Sequence, residues 1–225
     1  METQPPNKKE ESLVISYLFL RKSVGVLGFS LPIVLVVGGF WIGQCADIQA
    51  SISDYYHTIM RDVFVGMLCA IALFLFSYNG YDSRDRRAGI LGCIFALGIA
   101  FFPTANDYSI CTIPTSFAPA PLIGQLHLLF ATLFFLVLTY FALFLFTETS
   151  KKNPTDEKRK RNKVYIVCGY TMLGCIVAIA VYKLFMEDKW LHLNAYNPIF
   201  WLETIALWAF AVSWLIKGEL LLKDQ

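Results

Sequence analysis

LIGQLHLLFATLFFLVLTYFALFLFT, Leu122–Thr147, holds no Asp, Glu, Lys or Arg over 26 residues. A helix needs about 20 apolar residues to cross roughly 30 Å of hydrocarbon, and this run exceeds that length. Apolar and polar residues do not alternate in it, as a membrane barrel strand would require. In lipid, only a helix or a closed barrel satisfies its own backbone groups. The run therefore predicts a transmembrane helix, and the rest of the chain is read outward from it.

Five further apolar runs flank it: Val24–Gly43, Met60–Ser77, Ala88–Phe102, Val164–Phe185 and Pro198–Lys217. The expected fold is all-α, a polytopic transmembrane bundle of six helices. Residues 1–22 are expected to be a cytoplasmic tail, with Ser12–Lys22 either an interfacial helix or an extension of the first span. METQPPNKKEES is polar, carries two prolines and shows no signal-peptide cleavage pattern, so it reads as disordered. Residues 23–218 form the transmembrane domain and 219–225 a short cytoplasmic tail. Composition agrees with this division. The chain is 56% hydrophobic and only 16% charged, whereas soluble domains carry roughly 25% charged residues. Membrane lipids are the expected partners, and nucleic acid is not.

Orientation follows from Lys and Arg. They collect in the N-terminal tail (Lys8, Lys9, Arg21, Lys22), in YNGYDSRDRRAG (Arg84, Arg86, Arg87), in KKNPTDEKRKRNK and after the last run (Lys217, Lys223). The alternate connections hold only Arg61, Lys189 and the nearby Lys183. Both termini are therefore expected in the cytoplasm. KKNPTDEKRKRNK reads as a solvated, topology-fixing loop, or as a contact for anionic headgroups at about 1 kcal/mol per basic residue.

The opposite side collects different chemistry. SISDYYHTIMRD, Ser51–Asp62, falls there with all three histidines, His57, His127 and His192. His127 and Glu203 lie about five residues inside their runs, roughly 7 Å below the interface at about 1.5 Å per residue. An ionisable group inside a span usually faces the bundle and finds a partner, and equal depth pairs these two. The candidate outward pocket is Ser53, Asp54, His57, Asp62, His127 and Glu203, and the competing reading is a structural clasp between helices. Ser53 and His57, four apart, would share a helical face. His57, Asp62 and His127 are the set that would supply three ligands to zinc, although no HxxxH or HExxH motif occurs. No other cofactor is expected. His192 reads as a loop residue.

Cys69, Cys93, Cys168 and Cys175 fall within apolar runs and read as packing residues. Cys45 and Cys111 lie in outer connections and are candidates for a disulfide if that side is oxidising. Tyr55, Tyr56, Tyr108, Trp190, Tyr196 and Trp201 read as an interfacial aromatic belt. Gly25, Gly28, Gly38 and Gly39 suit close helix packing. No nucleotide-binding loop, GxSxG or catalytic triad pattern is present.

Six runs with both ends inside, ISD in the first outer connection (Ile52, Ser53, Asp54), His127 early in the fourth run and LETIALWAFAVSWL in the sixth together resemble the DRAM/Frag/Sfk family and a related bacterial membrane domain of unknown function. The resemblance covers about Val24 to Gly218. It implies a six-span architecture and a role in lipid handling, with Ile52, Ser53, Asp54, His127 and Glu203 as the matching positions. A slighter likeness joins Ser53 and His57 to the Ser/His pair of CREST-type membrane hydrolases. Those have seven helices and a paired histidine motif in the last one, which this chain lacks.

Three readings of function follow. One is a lipid-interacting membrane protein with an outward polar pocket. Another is a metal-dependent hydrolase of a lipid ester or amide, with Glu203 as general base. The third is a proton-coupled transporter using the His/Glu pair, although the inner halves of the runs offer few polar residues. The expected location is the bacterial inner (plasma) membrane.

Overall fold

The computed structural model describes residues 8–80, 82–105, 121–149, 155–187, 189 and 191–220, with side chains from residue 17 onward except at 191. The described residues are helical and include no strand. The helices are α1 (Lys8–Trp41), α2 (Arg61–Phe76), α3 (Ser83–Phe101), α4 (Pro121–Tyr140), α5 (Asp156–Val181), α6 (Leu191–Asn194) and α7 (Pro198–Lys217). A 3-10 helix, Ser53–His57, precedes α2. Helices α4 and α5 each run on into one π-helical turn, Phe141–Leu145 and Tyr182–Met186.

Four helices are long and apolar enough to cross a membrane: Tyr17–Trp41, Pro121–Leu145, Asp156–Met186 and Pro198–Lys217. This is the build of a membrane-embedded protein. The other two long helices fall short for different reasons. Helix α2 has only 16 residues, about 24 Å of helix. Helix α3 has 19, but Arg84, Asp85, Arg86 and Arg87 occupy its start.

Two boundaries differ from the sequence reading. Helix α1 begins at Lys8, so Ser12–Lys22 continues into the first span rather than lying apart as an interfacial helix. Nothing from Lys8 to Val24 is Pro or Gly, so no residue there breaks the helix. Likewise, the basic run expected as a loop is helical from Asp156. Thr155 Oγ1 accepts from the Lys158 N–H at 3.2 Å, and Asp156 and Glu157 complement the positive end of the helix dipole.

Neighbours run antiparallel around a ring, α1–α2–α3–α4–α5–α7 and back to α1. Small residues set the close approaches. A Cβ at Gly25 would meet Leu215 at 2.7 Å and one at Gly28 would meet Phe210 at 2.8 Å, so α1 seats directly on α7. Trp214 is fully buried, with the rings of Tyr78, Phe141, Phe146 and Phe210 at 5.1–6.0 Å.

The ring gives the bundle two unlike ends. The basic end gathers the start of α1, the α2–α3 turn, the start of α5 and the end of α7. There Arg21, Arg161 and Lys217 are buried. The Arg21 guanidinium lies 4.1 Å from the centre of the Tyr17 ring and donates to the Lys217 carbonyl at 3.3 Å. The polar end gathers the 3-10 helix, the end of α3 and the starts of α4 and α7.

Candidate functional site

The polar end is organised by the first turns of α7. Asn197 adopts a left-handed conformation (φ 48°) that lets Pro198 open the helix. The segment Ile48–Ile52 then lies along one stripe of α7. Asn197 Nδ2 donates to the Ile48 carbonyl at 3.4 Å, and the Phe200 N–H donates to the Ala50 carbonyl at 3.0 Å. The Ile52 N–H donates to Glu203 Oε2 at 2.6 Å. Positions 197, 200 and 203 are three apart, so they stack on one helical face. Glu203 thus acts first as an acceptor for the backbone of the ISD segment. Its charged neighbours are Asp54 and Lys183.

The 3-10 helix that follows makes its turn in three residues, so i and i+3 eclipse. Asp54 and His57 therefore share a face, and both reach Thr104. Thr104 Oγ1 donates to Asp54 Oδ1 at 3.1 Å, while His57 Nε2 lies 3.0 Å from the Thr104 carbonyl and 3.1 Å from its hydroxyl. A carbonyl only accepts, so His57 Nε2 carries the hydrogen. Ser51 Oγ supports the helix by accepting from the Asp54 N–H at 3.1 Å. Tyr55 points the other way, into the core beside Gly39 and Phe200. Burial pushes its hydroxyl up to about 12, against a hydrogen bond from the Gln49 backbone.

Helix α4 supplies His127 one turn below Gly124. A Cβ at Gly124 would meet the Ala105 backbone nitrogen at 2.9 Å, so the strand-like exit from α3 fits against α4 only because position 124 is bare. This contact brings the Phe102 carbonyl to His127 Nδ1, at 2.6 Å. By the same rule Nδ1 carries the hydrogen, and in the neutral ring Nε2 is left as an acceptor. His127 is 1% exposed, and Nε2 has no hydrogen-bond partner among the described residues. Its charged neighbours are Asp54 and His57.

Asp54, His57, His127 and Glu203 thus collect at one end. Several sequence expectations need correction. Asp62 is not part of the cluster: its side chain is 99% exposed and, among the described residues, its ion-pair partner is Arg61, at 3.9 Å. Ser53 and His57 do not share a face, because the four-residue spacing fits an α-helix and the segment is 3-10. His127 and Glu203 are not bonded to each other; one holds Phe102 and the other Ile52. No three His, Cys, Asp or Glu side chains form a metal-ligating group among the described residues, so His57, Asp62 and His127 do not assemble the zinc set. Tyr55 belongs to the core rather than to an aromatic belt, whereas Tyr196 and Trp201 are exposed as a belt requires. His192 is exposed on the short α6. Tyr108, Cys111 and Trp190 lie outside the described residues. Cys45 is buried and disulfide-bonded, and Cys69, Cys93, Cys168 and Cys175 are free.

Thr104 is the residue of this cluster that the sequence did not single out. Its only signal is its place, one residue after the helix-ending Pro103. The chain matches no family model, no curated protein and no solved structure.

Proposed function

We propose that the chain is a six-span protein of the bacterial inner membrane, of the DRAM/Frag/Sfk-like type, with both termini in the cytoplasm. In this reading the polar end is an outward-facing pocket for a lipid headgroup or a small polar ligand. The Lys and Arg distribution supports the orientation. So does the disulfide at Cys45, because disulfides persist on oxidising faces, and the free cysteines all lie in the helices.

One observation carries the binding role: a buried imidazole acceptor, His127 Nε2, without a donor among the described residues. A buried polar group left unpaired costs roughly 1–3 kcal/mol, and a ligand donor removes that cost. Asp54 beside it adds a further acceptor. The matching ligand is rich in donors, a polyol or a primary amine such as glycerol or ethanolamine headgroups carry. Among the described residues no three side chains form a metal-ligating group, so we favour binding over metal-dependent hydrolysis.

The test uses His127→Asn. The Asn amide still donates to the Phe102 carbonyl, as Nδ1–H does, but offers nothing at the Nε2 position. We expect unchanged thermal stability in detergent and loss of co-purifying lipid or polar ligand detected by mass spectrometry. Equal ligand content in wild type and variant would sink the binding role and leave a clasp.

A further inference from the structure

A groove of about 500 Å³ runs between α3 and α4 on the outer surface of the bundle, away from the polar cluster. Its walls are apolar, with Leu91 and Phe95 on α3 and Leu133 and Leu136 on α4, and it ends at Arg84 and Arg87. From Arg84 to Phe95 the groove follows 11 residues of helix, roughly 16 Å. That is about half of the hydrocarbon thickness, the depth of one leaflet. The two arginines differ. Arg84 is neutralised by Glu148 at 2.6 Å and Asp82 at 2.8 Å. Arg87 makes one bond, from Nε to the Ser83 carbonyl at 3.2 Å, and has no acidic partner among the described residues.

We propose that this groove binds one anionic glycerophospholipid of the leaflet at the basic end, with its phosphate on Arg87 and one acyl chain along Leu91, Phe95 and Leu136. The inference rests on the membrane reading above but not on the polar pocket. An apolar channel one leaflet deep, with a single uncompensated guanidinium at its mouth, has the shape and charge order of such a lipid. Arginine also suits phosphate because its donors form a planar fork. Arg84 is already held by Glu148 and Asp82, so the headgroup is directed to Arg87.

Native mass spectrometry of the full chain, offered equal phosphatidylglycerol and phosphatidylcholine, tests this. Wild type is expected to retain one phosphatidylglycerol, preferred roughly fivefold, the effect of one basic residue near an anionic headgroup. Arg87→Gln should abolish the preference, and Leu91→Trp should abolish retention of either lipid. Leu91 and Leu136 are 43% and 41% exposed, so Leu136→Trp fills the groove from the other wall without burdening the core. His127→Asn should leave the preference for phosphatidylglycerol over phosphatidylcholine unchanged, whatever it removes from the polar end, which separates this site from the polar pocket. Retention equal in wild type and both Trp variants would overturn the proposal. An unaltered preference in Arg87→Gln would do the same, as would a dimer mass that disappears in the Trp variants and marks a second copy as the occupant.

Discussion

The two ends of the bundle bury charge in opposite ways. At the basic end the protein itself supplies partners for its basic groups: buried Arg21 lies over Tyr17, buried Lys217 Nζ lies 5.3 Å from the Phe146 ring centre, and half-buried Lys158 donates to the Phe146 carbonyl at 2.8 Å. Aromatic faces and main-chain carbonyls are fixed partners, so these contacts are made within the protein. At the polar end the groups are fewer, and they hold loops rather than helices. Glu203 pins the ISD segment, and Thr104 links Asp54 to His57. His127 spends one nitrogen on Phe102 and leaves the other open. On the proposed reading the difference says where a ligand would fit: the basic end holds its cations on rings and carbonyls, and the unfilled His127 acceptor is the feature that would give the polar end a ligand to bind.

The largest expected effect tests whether the polar end faces an oxidising compartment. We propose that Cys45 pairs with Cys111, which lies outside the described residues. Closing such a loop is worth about 2–4 kcal/mol. Cys45→Ser should lower unfolding stability by that amount, and peptide mapping without reductant should find the 45–111 link. A different partner for Cys45 would break the pairing and redraw the outer connections.

Glu203→Ala comes next. It leaves the buried Ile52 N–H without its acceptor, a penalty of about 1–3 kcal/mol for an unsatisfied buried donor. An ordinary interhelical bond in a membrane averages about 0.6 kcal/mol. Melting in detergent separates the two, and a fall near the lower figure would reduce Glu203 to a clasp. Arg21→Leu sharpens the contrast from the other end. Losing the desolvated cation–π contact should cost about 2 kcal/mol while leaving ligand content untouched. Ligand loss in Arg21→Leu with stability retained would reverse the assignment of the two ends. Thr104→Val removes the bridge between Asp54 and His57 at about 1 kcal/mol. Faster hydrogen exchange confined to residues 52–58 is the expected signature.

Much of this contrast was legible in the sequence. Apolar run length gave the helices, and the Lys/Arg rhythm separated the ends before any contact was known. What escaped is local. Asp62 has the right residue type but faces away, because helix α2 starts at Arg61 and turns it outward. The Ser53/His57 spacing misled because a 3-10 turn and an α turn carry the same residues with different periods. Thr104 was invisible because its role depends on where Pro103 releases the chain against Gly124. Helix starts were also read late, at Ala88 and Val164 rather than Ser83 and Asp156. Charged first turns lower hydropathy without interrupting the helix.

The smallest effect belongs to the α2–α3 turn and closes the comparison at the basic end. Asp82 caps α3 by accepting from the Arg84 and Asp85 N–H groups at 2.7 and 3.2 Å. The Arg84 side chain, followed by the Asp85 and Arg84 backbone, holds its carboxyl below the ordinary range. A carboxyl lowered in the folded state stabilises above its unfolded value, about 3.9. That contribution is lost as pH falls through the folded value. Asp82 is exposed, so the change is small. Asn caps a helix as well as Asp does but does not titrate. Asp82→Asn should therefore flatten this part of the acid limb of the melting curve while leaving α3 capped. Because the turn is far from the polar cluster, ligand content should be the same in both proteins at every pH where they stay folded. A ligand content that followed Asp82 would mean that the two ends are coupled through α3, whose far end feeds Phe102 and Thr104 into the candidate site.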